Sequence, residues 1–273
     1  MSAVKAHRLV LIDGRFDAAL SDPLSSNISL VPYEEGICID LHQNAQAVII
    51  EKLSRDHRVT HLKTILKLHE NAQLSHYIYQ DDHDQSTLDL MTHVIQKKNS
   101  ECRIFLMNRA GISVKQFIHC ELQEPRATFH LLGGYEGTGQ QQLDFRTVIE
   151  HQASHCQSTQ LFKSAVNDQA RALFYGKIKV HKEAQKTNAT LYNHNLLLSD
   201  ESSVNTKPIL EIDADDVQCA HGATVGFLDV DALFYLRSRG VEENEARALL
   251  IQAFLSEVSV SESESESVTN DNL

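Results

Sequence analysis

Hydrophobic and polar residues alternate along most of this chain, and short polar turns interrupt the alternation at a nearly constant interval. Leu41–Gln46 (LHQNAQ) and Leu68–Gln73 (LHENAQ) lie 27 residues apart, and Lys179–Gln185 (KVHKEAQ) repeats the motif further along. Asn99–Phe105 (NSECRIF) and Pro125–Leu131 (PRATFHL) fall at similar intervals between these copies. Each copy joins a polar turn to apolar residues at every second position, which is typical of a β-strand.

A period of about 27 residues indicates stacked supersecondary units. One unit of two or three short strands cannot bury a core alone, so neighbouring units must stack to form one. The sequence therefore predicts a mainly β protein, a β-solenoid over about residues 8–212, with Gly133–Gly139 (GGYEGTG) as a loop between coils. The alternative is an ordinary β-sandwich in which the copies of the motif are coincidental.

The pattern becomes helical near the C-terminus. Asp229 is placed to cap a first helix that Gly240 ends. A second helix carries an apolar stripe at helical spacing, formed by Ala246, Leu249, Leu250, Ala253 and Phe254. Because both helices are short, most of their stability must come from packing. The stripe either covers the end of the solenoid or docks a partner, and the sequence leaves both possibilities open.

The last residues differ from everything before them. Ser and Glu alternate within 258–273, which predicts a disordered, solvated tail. We therefore divide the chain into a β-helix core (1–212), a C-terminal segment with two helices (213–257) and this tail (258–273).

The composition limits the possible partners. A formal net charge of −12 over 273 residues disfavours a nucleic-acid backbone or an anionic membrane surface. A hydrophobic content of 42% excludes global disorder. No apolar run approaches the roughly 18 residues that a membrane helix needs. The five cysteines are scattered and form neither a disulfide framework nor a zinc ribbon, so the cytoplasm is the expected location.

The sequence carries no standard catalytic motif, but it does contain possible metal ligands. Gly134–Gln140 (GYEGTGQ) has the glycine spacing of a phosphate-binding loop without its lysine. His119–Cys120 and His155–Cys156 are adjacent pairs, whose side chains would point to opposite faces of a strand. Cys219 and His221 are two residues apart and would share a face. Thiolate and imidazole suit zinc, copper or iron–sulfur centres, but two groups cannot fill a site.

The same segment carries a resemblance to a known family. Leu210–Asp229 (LEIDADDVQCAHGATVGFLD), followed by Leu233–Val241 (LFYLRSRGV) and 245–254 (EARALLIQAF), closely resembles the SufB/SufD family of iron–sulfur assembly proteins. Within the family the likeness is greatest to SufD. It extends back through 193–212 and 160–180, and so covers nearly all of the expected folded chain.

The resemblance implies a right-handed parallel β-helix flanked by helices, and a non-catalytic scaffold that pairs with SufB and docks the SufC ATPase. A transient iron–sulfur cluster would be assembled at the interface with SufB. His221 would be the metal ligand from this chain, with Cys219 beside it and further ligands from the partner chain. The residues that dock SufC would be Leu233, Phe234, Tyr235, Leu249, Leu250 and Phe254.

Three departures from the family pattern qualify this expectation. Tyr192–Leu198 (YNHNLLL) has no cysteine where SufB carries one, which favours SufD. The chain opens almost directly with its first strand, whereas family members usually begin with a helical region, so flavin binding is doubtful. The family's C-terminal helix gives way here to the Ser/Glu tail. A homodimeric or degenerate member that binds SufC without SufB stays open. A carbohydrate-active β-helix enzyme is disfavoured, because no paired carboxylates or aromatic platform are evident.

Overall fold

The computed structural model describes residues 6–33, 35–53, 59–80, 86–109 and 111–258. Most of this part consists of β-strands, and two helices, α1 (Val230–Ser238) and α2 (Glu243–Leu255), follow them. The strands are β1 (His7–Ile12), β2 (Arg15–Phe16), β3 (Ile28–Tyr33), β4 (Gly36–Leu41), β5 (Gln46–Lys52), β6 (Val59–Leu68), β7 (Gln73–Gln80), β8 (Thr87–Gln96), β9 (Glu101–Asn108), β10 (Ser113–Leu122), β11 (Thr128–Gly137), β12 (Gln142–His151), β13 (Gln157–Val166), β14 (Arg171–Val180), β15 (Asn188–Leu197), β16 (Ser203–Ile212) and β17 (Gln218–Phe227).

From β4 onward, successive strands alternate between two sheets. One sheet has the order β17-β15-β13-β11-β9-β7-β5-β1-β2, and the other has the order β16-β14-β12-β10-β8-β6-β4-β3. Pairing along both sheets is parallel, apart from the β1–β2 and β3–β4 pairs at the N-terminal end. Each coil thus contributes one strand to each sheet. The predicted parallel β-solenoid is confirmed.

The register explains the sequence repeat. Leu41 of β4 pairs with Leu68 of β6, so the two copies LHQNAQ and LHENAQ occupy equivalent places in adjacent coils. Leu68 aligns with Gln96, and the same column of the sheet then runs through β10 and β12 to Val180. The repeat therefore records positions that stack directly on one another.

The turns are held by a ladder of polar side chains. Asn44, Asn71, Asn99 and Arg126 all adopt positive φ angles between 55° and 63°. Asn71 Nδ2 donates to Asn44 Oδ1 at 3.0 Å, Asn99 Nδ2 donates to Asn71 Oδ1 at 3.0 Å, and Arg126 Nε donates to Asn99 Oδ1 at 2.7 Å. Asparagine tolerates the left-handed conformation better than most residues, which accounts for its recurrence in the motif.

The core lies between the two sheets. Burial alternates with period two along the strands, as in β12, whose inward residues are almost fully buried. Aromatic rings pack along the interior, with centroids of Tyr135 and Phe145 at 4.5 Å and those of Phe162 and Phe174 at 4.8 Å. Such rings bury large apolar areas, so they supply much of the hydrophobic stabilisation of the central coils.

Two expected boundaries differ from the structure. The solenoid continues past residue 212, because β17 pairs in parallel with β15 along its full length and ends at Phe227. Gly133–Gly137 belong to strand β11 and do not form a loop between coils. The turn around 213–217 is rich in aspartate, so the sequence pattern changes there although another strand follows.

The helices follow the last strand directly. Asp229 caps α1 by accepting hydrogen bonds from the backbone N–H groups of Asp231 and Ala232, as predicted, and Gly240 has a φ of 90° beyond its end. Helix α2 packs on the outer side of β13 and does not cover the end of the solenoid. Val258, at the end of the described residues, is only 1% exposed, whereas the rest of the expected tail lies outside them. Within the described residues, no helix is long and apolar enough to span a membrane.

Candidate functional site

Cys219 and His221 lie on β17, the last strand of the solenoid. The register aligns Cys219 with Ala189 and His221 with Leu191, and both of these β15 residues are fully buried. The two side chains therefore continue inward-facing columns, as the spacing of two residues predicted. Cys219 is half-buried against the core, and His221 is exposed.

The interior of the solenoid is uncovered at this point, which we call the open end. The inward-facing positions of the last two strands line it, namely Val204, Thr206, Pro208, Leu210 and Ile212 on β16, and Cys219, His221, Ala223, Val225 and Phe227 on β17. Ile212 is 39% exposed, Val225 45% and Phe227 67%. The equivalent positions of β14 and β15 are buried except for Leu197, which is half-buried. The apolar side chains at the open end therefore resemble core residues that no further coil covers.

The open end also exposes backbone hydrogen-bonding groups. β16 and β17 are the terminal strands of the two sheets, and no further strand within the described residues pairs with them. An edge strand with free N–H and C=O groups and exposed apolar side chains is a template for pairing with another chain. The boundary predicted at residue 212 left this surface outside the solenoid. Apolar residues at alternate positions within Ala223–Phe227 were the available signal.

The chemistry of the cysteines depends on their burial. Partial burial raises the pKa of the Cys219 thiol, and a weaker backbone hydrogen bond from Ala189 opposes this rise. The thiol is therefore protonated at neutral pH and must lose its proton to become a metal ligand. Cys120 and Cys156 are completely buried, and burial raises the pKa of both thiols.

The adjacent His–Cys pairs do not form joint sites. Cys120 points into the core, whereas the imidazole of His119 lies on the outer face, 3.2 Å from Glu150. His155 occupies a turn with a φ of 60°, beside the buried Cys156. The opposite orientation expected for adjacent strand residues applies to the first pair.

The six residues expected to dock a partner fall into two groups. Phe234 is 73% exposed, Tyr235 59% and Leu249 45%. Leu233, Leu250 and Phe254 are half-buried, and Phe254 packs against the chain's own sheet. The exposed aromatic residues of α1 and Leu249 of α2 therefore form the accessible part, which we call the helix patch.

Helix α2 is fixed to the sheet by part of the expected stripe together with residues outside it. Leu255 and Val258 are buried with Met107 and Ala165, while Ala253 is exposed. Arg247 donates to the carbonyl of Leu198 at 3.1 Å. The buried face thus keeps Ala246 and Phe254 of the expected stripe and adds Leu255, because packing against β13 selects residues that sequence periodicity alone does not single out.

Lys163 on β13 completes this attachment. Its ammonium donates to the carbonyl of Phe254 at 2.8 Å, lies 2.6 Å from a carboxylate oxygen of Glu257 and is 4.7 Å from the centroid of the Phe254 ring. α2 has no basic residue in its own last turn, so Lys163 supplies the positive charge that its C-terminal carbonyls favour.

Comparison with known proteins now identifies the family. Residues 29–254 match the family model described as "SUF system FeS cluster assembly, SufBD core domain". The chain belongs to the SufB/SufD family. It is 39% identical over 191 residues to an iron–sulfur cluster assembly SufBD family protein of Synechocystis, covering 70% of this chain and 42% of that protein. It is 32% identical over 223 residues to SufD of Escherichia coli, covering 81% of this chain and 53% of that protein.

A SufD of Bacillus subtilis is 38% identical over 122 residues, 45% of this chain and 28% of that protein. The chain therefore spans about half, or less, of the length of these relatives. The region matched by the SufBD core model begins in β3 and ends in α2, so it includes the open end and nearly all of the helical segment. The expected likeness to SufD is confirmed, and the relatives connect the family to iron–sulfur cluster assembly.

Proposed function

We propose that this SufD-like chain is a non-catalytic scaffold subunit that pairs with a SufB-type chain through its open end. The observation that carries the proposal is the uncovered interior of the last coil, where Ile212, Val225 and Phe227 are exposed beside two unpaired strand edges. A second solenoid docked there would bury these side chains and extend both sheets. The family membership supplies the class of partner.

The cluster under assembly would be cargo held between the two chains. His221 offers an exposed imidazole at the rim of the open end, and Cys219 offers a half-buried thiol on the same face of β17. Two donors cannot complete the coordination of an iron–sulfur cluster, so the other ligands would come from the partner. Because burial keeps the Cys219 thiol protonated, His221 is the readier donor of the two.

The helix patch would dock the SufC-type ATPase. Phe234, Tyr235 and Leu249 present apolar surface on helices that are fastened to the solenoid through Leu255 and Lys163. Aromatic residues are the usual anchors of protein interfaces. Since α2 contacts β13, a movement of the ATPase would be transmitted to the sheet whose last strand is β17.

The cytoplasm suits this role. All five cysteines are free thiols, and Cys102, Cys120 and Cys156 are buried in the core without forming disulfides. Free thiols are the normal state in a reducing compartment.

Pairing is tested by co-purification with a SufB-type chain and native mass spectrometry. Val225→Asp, which places a charge at the open end, is expected to abolish the complex. Lys115→Asp, a charge at an exposed strand position far from the open end, is the matched control and should leave it intact. Retention of the complex by Val225→Asp would refute pairing at this end. Self-association of the wild-type chain without any complex would favour the homodimeric alternative.

Docking of the ATPase is tested separately. Phe234→Asp and Leu249→Asp are expected to prevent co-purification of a SufC-type subunit while leaving a folded β-core, because both side chains are exposed. Phe254→Asp should also prevent it, by detaching α2 from Leu161 and Leu198. Retained binding by Phe234→Asp and Leu249→Asp would refute the assignment of the helix patch.

A further inference from the structure

Two histidines stack on the outer face of the sheet that carries no helix. The parallel register pairs His93 of β8 with His119 of β10. Their rings are nearly parallel, with an interplanar angle of 4° and centroids 4.9 Å apart. Helix α2 packs on the other sheet, so this pair lies away from the helix patch. The register fixes the two imidazoles side by side, one from each coil.

A carboxylate completes the group. Glu121, two residues after His119 on the same face of β10, has Oε1 2.7 Å from His93 Nε2. One imidazole nitrogen from each histidine and one carboxylate oxygen of Glu121 all lie within 4.8 Å of one another. The side chains are 22% exposed for both histidines and 19% for Glu121. The three donors are thus partly shielded yet open to an ion from solvent.

Neighbouring amides hold the carboxylate in place. Gln123 and Gln152 both donate to Glu121 Oε2, at 2.8 Å and 3.2 Å, which leaves Oε1 directed at His93. Partners that orient a ligand in this way commonly accompany metal sites.

We propose that His93, His119 and Glu121 bind a divalent first-row transition-metal ion on the outer face of the sheet. Two imidazoles and one carboxylate suit zinc, cobalt or ferrous iron, with water in the remaining positions. Bonds of about 2.0–2.2 Å bring the donors to roughly 3–3.5 Å from one another, which small side-chain rotations provide. The ion replaces the hydrogen bond between His93 and Glu121.

A second group of possible ligands on the same side of the solenoid is more exposed. Asp40, His42 and His69 also approach within 4.8 Å of one another. However, His42 is exposed and its Nε2 lies 2.9 Å from Ser29 Oγ, while the His69 side chain is 46% exposed. No described side-chain amide donates to the Asp40 carboxylate. We therefore assign the tighter site to His93, His119 and Glu121.

The test is an anaerobic Co²⁺ titration of the whole chain after treatment with a chelator. The visible absorption of bound Co²⁺ reports the ligands, and competition with a chromogenic chelator gives the affinity. His119→Ala and the isosteric Glu121→Gln are expected to weaken the tightest site at least tenfold. His61→Ala, which removes an exposed histidine on neighbouring β6, is the matched control and should change nothing. Far-UV circular dichroism checks that each variant is folded.

Two outcomes would overturn the assignment. If His119→Ala and Glu121→Gln bind Co²⁺ as the wild type does, these residues are not ligands. If only His69→Ala loses the tight site, the ion belongs to the group at Asp40. The inference does not depend on pairing at the open end, so failure of either proposal leaves the other standing.

Discussion

Replacement of Lys163 by methionine should detach the C-terminus of α2 from the solenoid. The side chain is 9% exposed, and methionine preserves its aliphatic stem while removing the charge. The variant loses the hydrogen bond to the Phe254 carbonyl and the favourable charge at the helix C-terminus. It leaves that carbonyl without its partner against the sheet, whereas the buried contacts of Leu255 and Val258 remain.

The magnitude follows from these contacts. A hydrogen bond from a charged donor contributes about 1.5–3 kcal/mol. The ion pair adds little, because Glu257 is 65% exposed and exposed pairs contribute at most about 1 kcal/mol. We take about 2 kcal/mol for the loss, which corresponds to roughly a 30-fold increase in the opening equilibrium of α2.

Amide hydrogen exchange measured by mass spectrometry tests this prediction. Peptides from α2 should exchange roughly 30-fold faster in Lys163→Met, while peptides from β8 to β14 should be unchanged. Lys177→Met is the matched control, because that lysine pairs with Glu211 on the opposite sheet and contacts neither helix. Unchanged exchange in α2, or an equal increase throughout the solenoid, would refute the role assigned to Lys163.

Two further predictions concern the solenoid itself. A Cβ at Gly176 would lie 2.4 Å from Leu191 Cδ1, so Gly176→Ala should lower the free energy of unfolding in urea by about 1–3 kcal/mol. Gly226 has open space around it, so Gly226→Ala should leave the stability nearly unchanged. Equal effects of the two substitutions would contradict the packing at Gly176. Burial lowers the pKa of His151 to about 4. The unfolded chain therefore binds the proton first, and stability should fall as pH is lowered from about 6.5 towards 4, by at most about 1.4 kcal/mol per pH unit. His151→Gln should remove this part of the slope, and an unchanged slope would contradict it.

The fold was predictable because each coil repeats the same kinds of turn and strand residues. Asn44, Asn71 and Asn99 mark turns that require a left-handed residue, and strand alternation marks the two faces between them. Both signals are short-range and need no knowledge of contacts. The end of the solenoid was not predictable in the same way. Strand β17 is an edge strand, and residues on both of its faces are exposed, so it lacks the regular alternation of buried and exposed positions.

The candidate sites were only partly predictable. Cys219 and His221 were found because residues two apart share a face of a strand. The pairing of His93 with His119 depends on the offset in residue number between paired positions of neighbouring coils. This offset is 26 residues for His93 and His119, whereas it is 31 residues for Gln157 and its partner Asn188. The spacing between equivalent residues varies from coil to coil. The sequence therefore predicts that the coils stack, but it does not predict which residues of neighbouring coils lie side by side.

The most direct test of the scaffold role is anaerobic co-expression of this chain with a SufB-type chain and a SufC-type ATPase. The complex mass and its iron and sulfide content are compared between the wild type and His221→Ala. We expect a ternary complex of unchanged composition whose iron and sulfide content falls in His221→Ala. Absence of a complex containing the SufB-type chain, or unchanged iron and sulfide in the variant, would contradict assembly at the open end.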